Sequence, residues 1–369
     1  MELRAWRDLC HRLEALGESL LDDAYPAAPE DRAEGFAHLA EQVVCWLGWS
    51  VGHADPRRPA FHRQNDLVTQ WGGPNADNAY RHARVHPSLR YRLRGHMHGC
   101  DDFILAIRAG FMHEPRHGTL VEVTGSDLGI GRGDEIDLLL GEGAIPLPEG
   151  SAMVSIREYY IDWQEEEPAV WTIACLDEDQ PAPPADGEAV AAQLADAATS
   201  IEHSMRYWRD YMLDARAAGR PNTFAASQRV AKGLPSARYA FCFWHLGPDE
   251  ALVIDTDVPA ARYWGLQLYS MGWFEPIDPT GRITSLNQAQ TSVGPDGRVQ
   301  VVVAHADPGT PNWLDTGGRG DGLLTLRWFW PDSDQAPAPT ATVIPFEAAG
   351  RARPEMAQRR AHLAWRFRT

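Results

Sequence analysis

Residues 305–318 place side chains capable of acid–base chemistry beside a loop of turn-forming residues. His305 ends the run VVVAH, Asp307 follows it, and the loop DPGTPNWLDTGG comes next. Imidazole exchanges protons near neutral pH, which makes His305 a candidate proton-transfer residue with Asp307 as a second acid–base group. A buried structural histidine is the alternative that the sequence leaves open.

The loop 307–318 surrounds one large apolar side chain with glycines, prolines and short polar residues. Its two prolines restrict the backbone, because proline fixes φ. Asn312 and Asp315 flank Trp313, and both side chains can bond to backbone amides in turns. Either Trp313 folds inward as a plug, or the loop caps a sandwich and presents Asn312, Trp313 and Asp315 to a ligand.

Two further turns carry amides and carboxylates that could bind a hydroxylated ligand. They are PNADN at 74–78 and TSLNQAQTS at 284–292. Amides pair donors and acceptors with hydroxyl groups, and aromatic rings stack on sugar or polycyclic faces. The candidate binding residues here are Asn75, Asp77, Asn78, Tyr80, Trp264, Asn287, Gln288 and Gln290. The alternative is tight turns whose side chains bond only to the backbone.

The stretch HMHGCDD at 96–102 offers a metal-binding alternative. His96 and His98 alternate along a predicted strand, so their side chains share a face. The candidates for a third ligand are His113, His117 and His305, and none has a diagnostic spacing. We expect no cofactor, because the sequence lacks a dinucleotide-binding glycine motif, a phosphate-binding loop, a GxSxG elbow and an HExxH motif. A divalent metal at His96 and His98 is the exception left open.

The surrounding pattern predicts the elements that must position these residues. Residues 1–65 form a helical segment, 66–180 a first β-sandwich, 181–222 a linker and long helix, and 223–369 a second β-sandwich. The β regions consist of short β-rich runs between turn formers, which is typical of antiparallel sandwiches. Both contain a strand, a turn-rich loop and a strand in the same order, so we expect two similar units.

Composition narrows the classes of partner. The chain has 369 residues, 44% of them hydrophobic, and a formal net charge of −17. Such a charge repels polyanions, so neither nucleic acid nor a membrane is an expected partner. Five scattered cysteines without a CxxC pair fit a reducing compartment, and the charged N-terminus does not resemble a secretory signal. We therefore expect a cytoplasmic protein with a small-molecule ligand, and a homo-oligomer is an open alternative.

Three stretches carry a resemblance to a known family. These are EALVIDTDVPAARYWGLQLYSMGWFEPIDPTGRITSLNQAQ, DGRVQVVVAHADPGTPNWLDTGG and GLLTLRW, within residues 225–331. They resemble the domain-of-unknown-function family 1214 (DUF1214), with the core of the match at 250–331. Upstream stretches resemble the region before that domain in longer members. The chain departs from the pattern at AIPLPEG, 144–150, and at Gly318-Arg319, where Gly-His is expected.

The resemblance implies tandem jelly-roll-like β-sandwiches and no particular reaction. The expected fold is mainly β with helical additions: two tandem jelly-roll-like antiparallel sandwiches, an N-terminal helical segment and a long helix between them. The expected function is hydrolysis or elimination on a hydroxylated, partly apolar substrate, such as a glycan unit or a polycyclic or terpenoid alcohol, bound between or at the ends of the sandwiches. The alternatives are a non-catalytic carbohydrate- or metabolite-binding protein and an assembly protein.

Overall fold

The computed structural model describes residues 1–22, 29–63, 65–66, 69–141, 143, 145–178, 180–227, 234–279, 281–332 and 336–350. Four α-helices are present in this part of the chain: α1 Glu2–Ser19, α2 Pro29–Leu47, α3 Gly187–Ala218 and the short α4 Phe346–Ala349. A π-helical turn, Gly48–Gly52, follows α2. The N-terminal helices and the long mid-chain helix predicted from the sequence are confirmed.

Helical periodicity explains the N-terminal helix. Leu9 and Leu16 lie seven residues apart on one face of α1 and are buried, as expected for an amphipathic helix on a core. Arg12 projects from the same helix and binds Glu202 of α3 through two nitrogens, each 2.9 Å from a carboxylate oxygen. The two helices are therefore joined by a bidentate ion pair.

The strands alternate with turns throughout the described β regions, as their sequence pattern predicts. They are β1 Asn78–Arg84, β2 Tyr91–His96, β3 Asp102–Gly110, β4 Gly118–Thr124, β5 Glu135–Leu140, β6 Met153–Tyr159, β7 Val170–Cys175, β8 Ala237–His245, β9 Glu250–Asp257, β10 Ala261–Tyr269, β11 Ser285–Asn287, β12 Arg298–Ala304, β13 Trp313–Asp315, β14 Asp321–Pro331 and β15 Thr340–Pro345. The fold is mainly β, as expected.

These strands form four sheets in the part of the chain that the structure describes. Sheet I has the order β1-β6-β3-β4, sheet II β5-β2-β7, sheet III β11-β10-β14-β8 and sheet IV β13-β12-β9-β15. Neighbouring strands are antiparallel, except that β13 runs parallel to β12. That exception places part of the 307–318 loop in a sheet, because the loop is long enough to return its end alongside β12.

The chain contacts divide into two compact units. Unit 1 comprises Met1–Gly72, Asn78–Tyr160 and Glu165–Arg209, and unit 2 comprises Gly73–Asp77, Ile161–Gln164 and the described residues from Asp210 onward. Unit 2 therefore includes two short segments that lie within the first β region of the sequence. The four-part division at 65, 180 and 222 stays a prediction, and residues 351–369 of its last part lie outside the described residues.

Each unit contains two sheets with an apolar layer. In unit 1, Phe103 of sheet I contacts Trp171 of sheet II, with ring centroids 4.9 Å apart. In unit 2, one cluster combines the inward residues of sheets III and IV, among them Trp244, Leu266, Val301 and Leu326. Side chains of each strand alternate between this apolar layer and the opposite side of the sheet. We call that opposite side the non-core face.

Among the described residues, no helix combines the length and the apolar character that crossing a bilayer requires.

Candidate functional site

Asn312 braces the loop 307–318. The side chain is 5% exposed, and its Nδ2 donates to the carbonyls of Ser292 and Gln300, both at 2.8 Å. Its Oδ1 accepts from the Ser292 amide at 2.8 Å. All these bonds run to the backbone, so the amide joins the start of β13 to the 292 turn and to β12.

The two apolar residues at the centre of this loop point to opposite sides of sheet IV. Leu314 is fully buried in the main core of unit 2. Trp313 is half-buried beside Val302 and Ala304, and its Nε1 donates to the Ala304 carbonyl at 3.3 Å. Asp315 accepts from Arg282 Nη1 at 2.9 Å. The inward plug is therefore Leu314, and Trp313 covers the outer face.

His305 and Asp307 lie beside the same loop and contact its turns. His305 Nδ1 lies 2.7 Å from Thr316 Oγ1, and Nε2 lies 3.1 Å from the Gly247 carbonyl. Because a carbonyl only accepts, Nε2 carries the proton in this arrangement and Nδ1 accepts from the threonine hydroxyl. Asp307 Oδ1 accepts from the Gly309 amide at 2.8 Å. Both side chains hold turns, and their catalytic role stays a prediction.

The amides at 287–290 hold β10 and β11 together. Asn287 is buried and donates from Nδ2 to the Ile161 carbonyl at 2.9 Å. Gln288 accepts from the Trp264 amide and donates to the Arg262 carbonyl, both at 2.7 Å. Gln290 Oε1 accepts from the Asn287 amide at 3.0 Å. The Trp264 ring belongs to the core between sheets III and IV.

Asn75 and Asp77 meet in a buried polar cluster of unit 2. Asn75 Nδ2 donates to the Tyr263 hydroxyl at 2.9 Å, and that hydroxyl donates to Asp77 Oδ2 at 2.8 Å. Trp163 Nε1 donates to the other carboxylate oxygen at 2.9 Å. Burial raises the pKa of Tyr263, and the charge of Asp77 raises it further. The tyrosine is therefore a neutral donor to a buried carboxylate.

The same cluster continues along the non-core face of sheet III. Gln267 Oε1 accepts from the Ala76 amide at 2.9 Å, and the Tyr269 hydroxyl donates to the Pro74 carbonyl at 2.8 Å. Arg327 donates to the Gly73 carbonyl at 3.2 Å and to the Tyr269 oxygen. The polar side chains of this face thus bind the backbone of the segment Gly73–Asp77, which lies over them.

Asn78 and Tyr80 lie in unit 1, at one end of sheet I. Asn78 Nδ2 donates to the Glu158 carbonyl at 2.8 Å, and the Tyr80 hydroxyl lies 3.5 Å from Asn78 Oδ1. The Arg157 guanidinium lies 5.0 Å from the centroid of the Tyr80 ring. Their proposed role in ligand binding also stays a prediction.

His96 and His98 lie close together with their ring centroids 4.3 Å apart. Each faces a different carboxylate: His96 Nε2 is 3.9 Å from Glu135 and His98 Nδ1 is 3.7 Å from Glu167. Among the described residues, no third ligand joins the two histidines in a group of metal-binding spacing. His113 and His305, two of the suggested third ligands, have ring contacts and hydrogen bonds elsewhere.

A cavity of about 250 Å³ lies in unit 2, at one end of sheet III. The residues around it are Arg216, Pro221, Phe243, Trp244, His245, Met271 and Asp321. His245 and Asp321 are register partners on β8 and β14, so their side chains leave the same face of the sheet as neighbours. Arg216 Nη2 lies 3.2 Å from Asp321 Oδ2. The cavity therefore combines an apolar wall with an ion pair and an imidazole.

Asn222 fixes one wall of this cavity. Its backbone has a positive φ of 56°, which asparagine tolerates better than most residues. Its Nδ2 donates to the His245 carbonyl at 2.8 Å, and its Oδ1 accepts from the His245 amide at 2.9 Å. The side chain thus pairs with the edge of β8 as a further strand would, and Pro221 is held next to the cavity.

Sequence reasoning missed the cavity residues and the aromatic partners of Asp77. His245 ends β8 and Asp321 begins β14, and a polar residue at the end of a β-rich run is the signal that could have found them. Tyr263 lies 186 residues from Asp77, and no pattern within a local window links residues so far apart. The register of β8 with β14 and the path of the segment Gly73–Asp77 bring these groups together.

Part of the second β region matches a family model. Residues 249–333 match the model of a family described as "Protein of unknown function (DUF1214)". The resemblance inferred from the sequence is confirmed over these residues. No curated protein matches the sequence.

One solved structure shares the fold over nearly the whole chain. The crystal structure of an uncharacterized protein from Burkholderia cenocepacia is similar with a TM-score of 0.86 and 27% sequence identity, over 93% of this chain and 97% of that chain. The VPA0106 protein from Vibrio parahaemolyticus matches with a TM-score of 0.46 and 10% identity, over 88% of this chain and 100% of that chain.

Proposed function

We propose that the protein binds a hydroxylated, partly apolar small molecule in the cavity at the end of sheet III. The observation that carries this proposal is the composition of the wall, in which Phe243, Met271 and Pro221 adjoin the Arg216–Asp321 ion pair. Small-molecule sites combine an apolar lining with a few polar groups that fix orientation. Apolar atoms would rest on the aromatic and methionine side, and a hydroxyl would bond to the ion pair.

The size of the cavity selects among the substrate classes expected from the sequence. Its volume of about 250 Å³ lies just below the range of roughly 300–1,000 Å³ that is common for ligand pockets. A single sugar ring or a short terpenoid alcohol fits this range better than a fused polycyclic alcohol does. Carbohydrate binding therefore remains within the proposal, at the level of one sugar unit.

A catalytic form of the proposal rests on the pairing of His245 with Asp321. A histidine beside a carboxylate is a common proton-transfer arrangement, because the carboxylate orients the ring and stabilises its protonated form. Hydrolysis would use His245 to take a proton from water as the water attacks an ester carbonyl, and the protonated ring would give that proton to the departing alkoxide. Elimination would use His245 to take a proton from the carbon next to the C–OH carbon as the C–O bond breaks and a C=C bond forms, and the protonated ring would give that proton to the departing hydroxide, which leaves as water. The five free cysteines of the chain support a reducing, cytoplasmic location for either activity.

The test compares ligand-induced stabilisation in the full chain and in two tryptophan variants. The probes are geraniol, methyl β-D-glucoside and cholate, which represent a terpenoid alcohol, a sugar unit and a polycyclic alcohol. Geraniol or the glucoside should raise the melting temperature (Tm), and cholate should not. Met271→Trp fills the cavity and should remove the rise, while Val293→Trp adds the same side chain at an exposed site of unit 2 and should keep it.

The outcome that contradicts the proposal is an equal rise in Tm for Met271→Trp, or no rise with any probe. Mass spectrometry of the recovered probe then separates the two forms. A compound of unchanged mass supports binding alone, and loss of one water supports elimination. Incubation with geranyl acetate, an ester of the same alcohol, tests hydrolysis, and release of geraniol supports it. His245→Gln should abolish this cleavage and keep the ligand-induced rise in Tm.

A further inference from the structure

The non-core face of sheet I carries a row of polar residues whose arrangement differs from that of sheet III. Register places four side chains in one line across β1, β6, β3 and β4: His82, Ser155, Ala106 and Glu122. Residues that are directly opposite in an antiparallel sheet project from the same face. The two central side chains, a serine and an alanine, are small and buried, with 8% and 2% exposure, and we call these two residues the floor of the face.

Two arginines flank this floor from opposite ends. Arg108 lies two residues beyond Ala106 on β3, and Arg157 lies two residues beyond Ser155 on β6, in the other direction along the sheet. At about 3.3 Å per residue, their backbones are about 13 Å apart along the strands. Two long guanidinium side chains can therefore reach toward the floor from both sides.

Arg108 is buried without enough partners. The residue is 8% exposed, and neither its Nε nor its Nη2 has a hydrogen-bond partner among the described residues. Thr119 is the register partner of Arg108 on β4. Its Oγ1 and the Nδ1 of His82 are also buried without a hydrogen-bond partner among the described residues. Leaving buried donors unsatisfied costs about 1–3 kcal/mol each, and more for charged groups.

Two positive and two negative side chains lie around this floor: Arg108, Arg157, Glu114 and Glu122. Burial lowers the pKa of Arg108 to about 10, and the nearby charge of Arg157 lowers it further, despite the opposing effect of Glu114 and Glu122. Burial also lowers the pKa of His82, and the charges of Arg108 and Arg157 lower this pKa further. A negative group between the arginines would reverse both effects, because an opposite charge stabilises the protonated forms.

We propose that Arg108, Arg157 and His82 form a binding site for a small oxyanion, the carboxylate or phosphate group of a metabolite, above the floor of Ser155 and Ala106. The guanidinium of Arg108 presents Nε and Nη2 on one edge, which matches two oxygens of a carboxylate or phosphate. His82 donates from Nδ1 in the tautomer that carries its proton there. The site belongs to unit 1 and is independent of the cavity in unit 2.

The experiment measures the Tm of the full chain in sodium phosphate, in sodium acetate and in sodium chloride at equal ionic strength. Phosphate or acetate should raise Tm by about 5–10 °C at a hundredfold excess over the dissociation constant. Arg108→Met, which keeps the length of the side chain but removes the donors, should abolish this rise. Arg92→Met is the matched control, because Arg92 is exposed on sheet II and paired with Asp137, and it should keep the full rise.

A response to phosphate alone identifies a phosphate ligand, and a response to acetate alone identifies a carboxylate. In chloride, Arg108→Met should be at least as stable as the wild type, because it removes buried donors that have no hydrogen-bond partner among the described residues; a purely structural arginine would give a lower Tm. If Arg108→Met does not fold, Arg108→Lys keeps the charge without the two-pronged edge and should lose more than half of the rise. An equal rise in the Arg108 variants, or none in the wild type, overturns the proposal.

Discussion

The non-core faces of sheets I and III both carry buried polar residues, but these residues meet different partners. On sheet III, the hydroxyls and amides of Tyr263, Gln267 and Tyr269 bond to Asp77 and to the backbone of Gly73–Asp77. On sheet I, Arg108 and His82 keep buried nitrogens without partners among the described residues. A satisfied network stabilises a fold, whereas an unsatisfied one is tolerated where a ligand completes it.

Buried polar residues differ in whether the protein itself supplies their counterpart. Asp77 has one donor for each carboxylate oxygen, so the protein itself supplies the counterpart of its charge. Arg108 has Glu114 and Glu122 in its surroundings, yet the balance still disfavours its charged form. Burial alone therefore does not distinguish a structural residue from a binding residue, and the inventory of hydrogen bonds does.

Removal of Asp77 should have the largest effect. Asp77→Ala removes the acceptor of the Trp163 indole and leaves the Tyr263 hydroxyl with Asn75 Oδ1, 3.1 Å away, as its acceptor in unit 2. The loss of two buried hydrogen bonds to a charged group should cost about 3–5 kcal/mol together. Urea unfolding of the variant and the wild type measures this loss. Asp307→Ala, which removes an exposed carboxylate from the same unit, is the control. A loss below 1 kcal/mol for Asp77→Ala would mean that the network of sheet III is not a stabilising one.

Trp313→Ala should cost less than the loss of a fully buried tryptophan. The ring packs beside Val302 and Ala304 but is only half-buried, so we expect about 2–3 kcal/mol, below the 3–5 kcal/mol of a core aromatic. The measurement is the free energy of unfolding from urea titration. The variant should keep the Tm rise with geraniol or the glucoside; loss of that rise would move the ligand to the loop 307–318.

The pH dependence of stability should come from unit 1. Burial among Trp46, Trp71 and Phe111 lowers the pKa of His113 to about 3. The unfolded chain binds a proton at this histidine below about pH 6.5 and the folded chain does not, so stability falls as pH decreases from about 6.5 toward about 3. Between pH 7 and pH 5 His113 alone should contribute a loss of about 2 kcal/mol, and His82, whose pKa burial also lowers, should add to this loss.

His113→Phe should flatten this dependence, because phenylalanine keeps an aromatic ring in the cluster and takes up no proton. Unfolding by urea at pH 7 and pH 5 gives the difference for each protein. His11→Phe replaces an exposed histidine of α1 and should leave the slope of the wild type unchanged. An unchanged slope in His113→Phe would show that other groups cause the acid sensitivity.

Asn312→Ala should give the smallest of these effects, about 1–2 kcal/mol. It removes three hydrogen bonds to backbone groups, each worth about 0.5–1.5 kcal/mol net, and water can replace part of them at the edge of sheet IV. Thermal unfolding with and without the glucoside measures both stability and binding. A variant that loses the ligand-induced rise while keeping its own Tm would restore the binding role that the sequence predicted for Asn312.

Local patterns were enough to predict much of the fold. Alternating apolar residues between turn formers predicted the mainly β architecture, and continuous helix formers up to Gly219 predicted the long α3, which ends at Ala218. The DUF1214 resemblance was carried by motifs that lie in consecutive stretches. These features are readable because each depends on residues that are close together in the chain.

The sites were less predictable, because residue type does not reveal how a polar atom is used. Asn312, Asn287 and His305 have the chemistry of binding residues, and the structure shows their polar atoms bonded within unit 2. Arg108 lies in the run DFILAIRAG, which contains no motif that marks it as a binding residue.

Sequence alone determined which residues of each strand of sheets I and III share a face, since side chains of a strand point to opposite sides in turn. Only the tertiary structure decided what meets the polar face, because that depends on pairing between residues 186 apart, as for Asp77 and Tyr263, or on register across four strands, as for His82 and Glu122. The free energy of a buried polar atom is set by the partner within about 3 Å of it, and chain folding, rather than sequence proximity, supplies that partner.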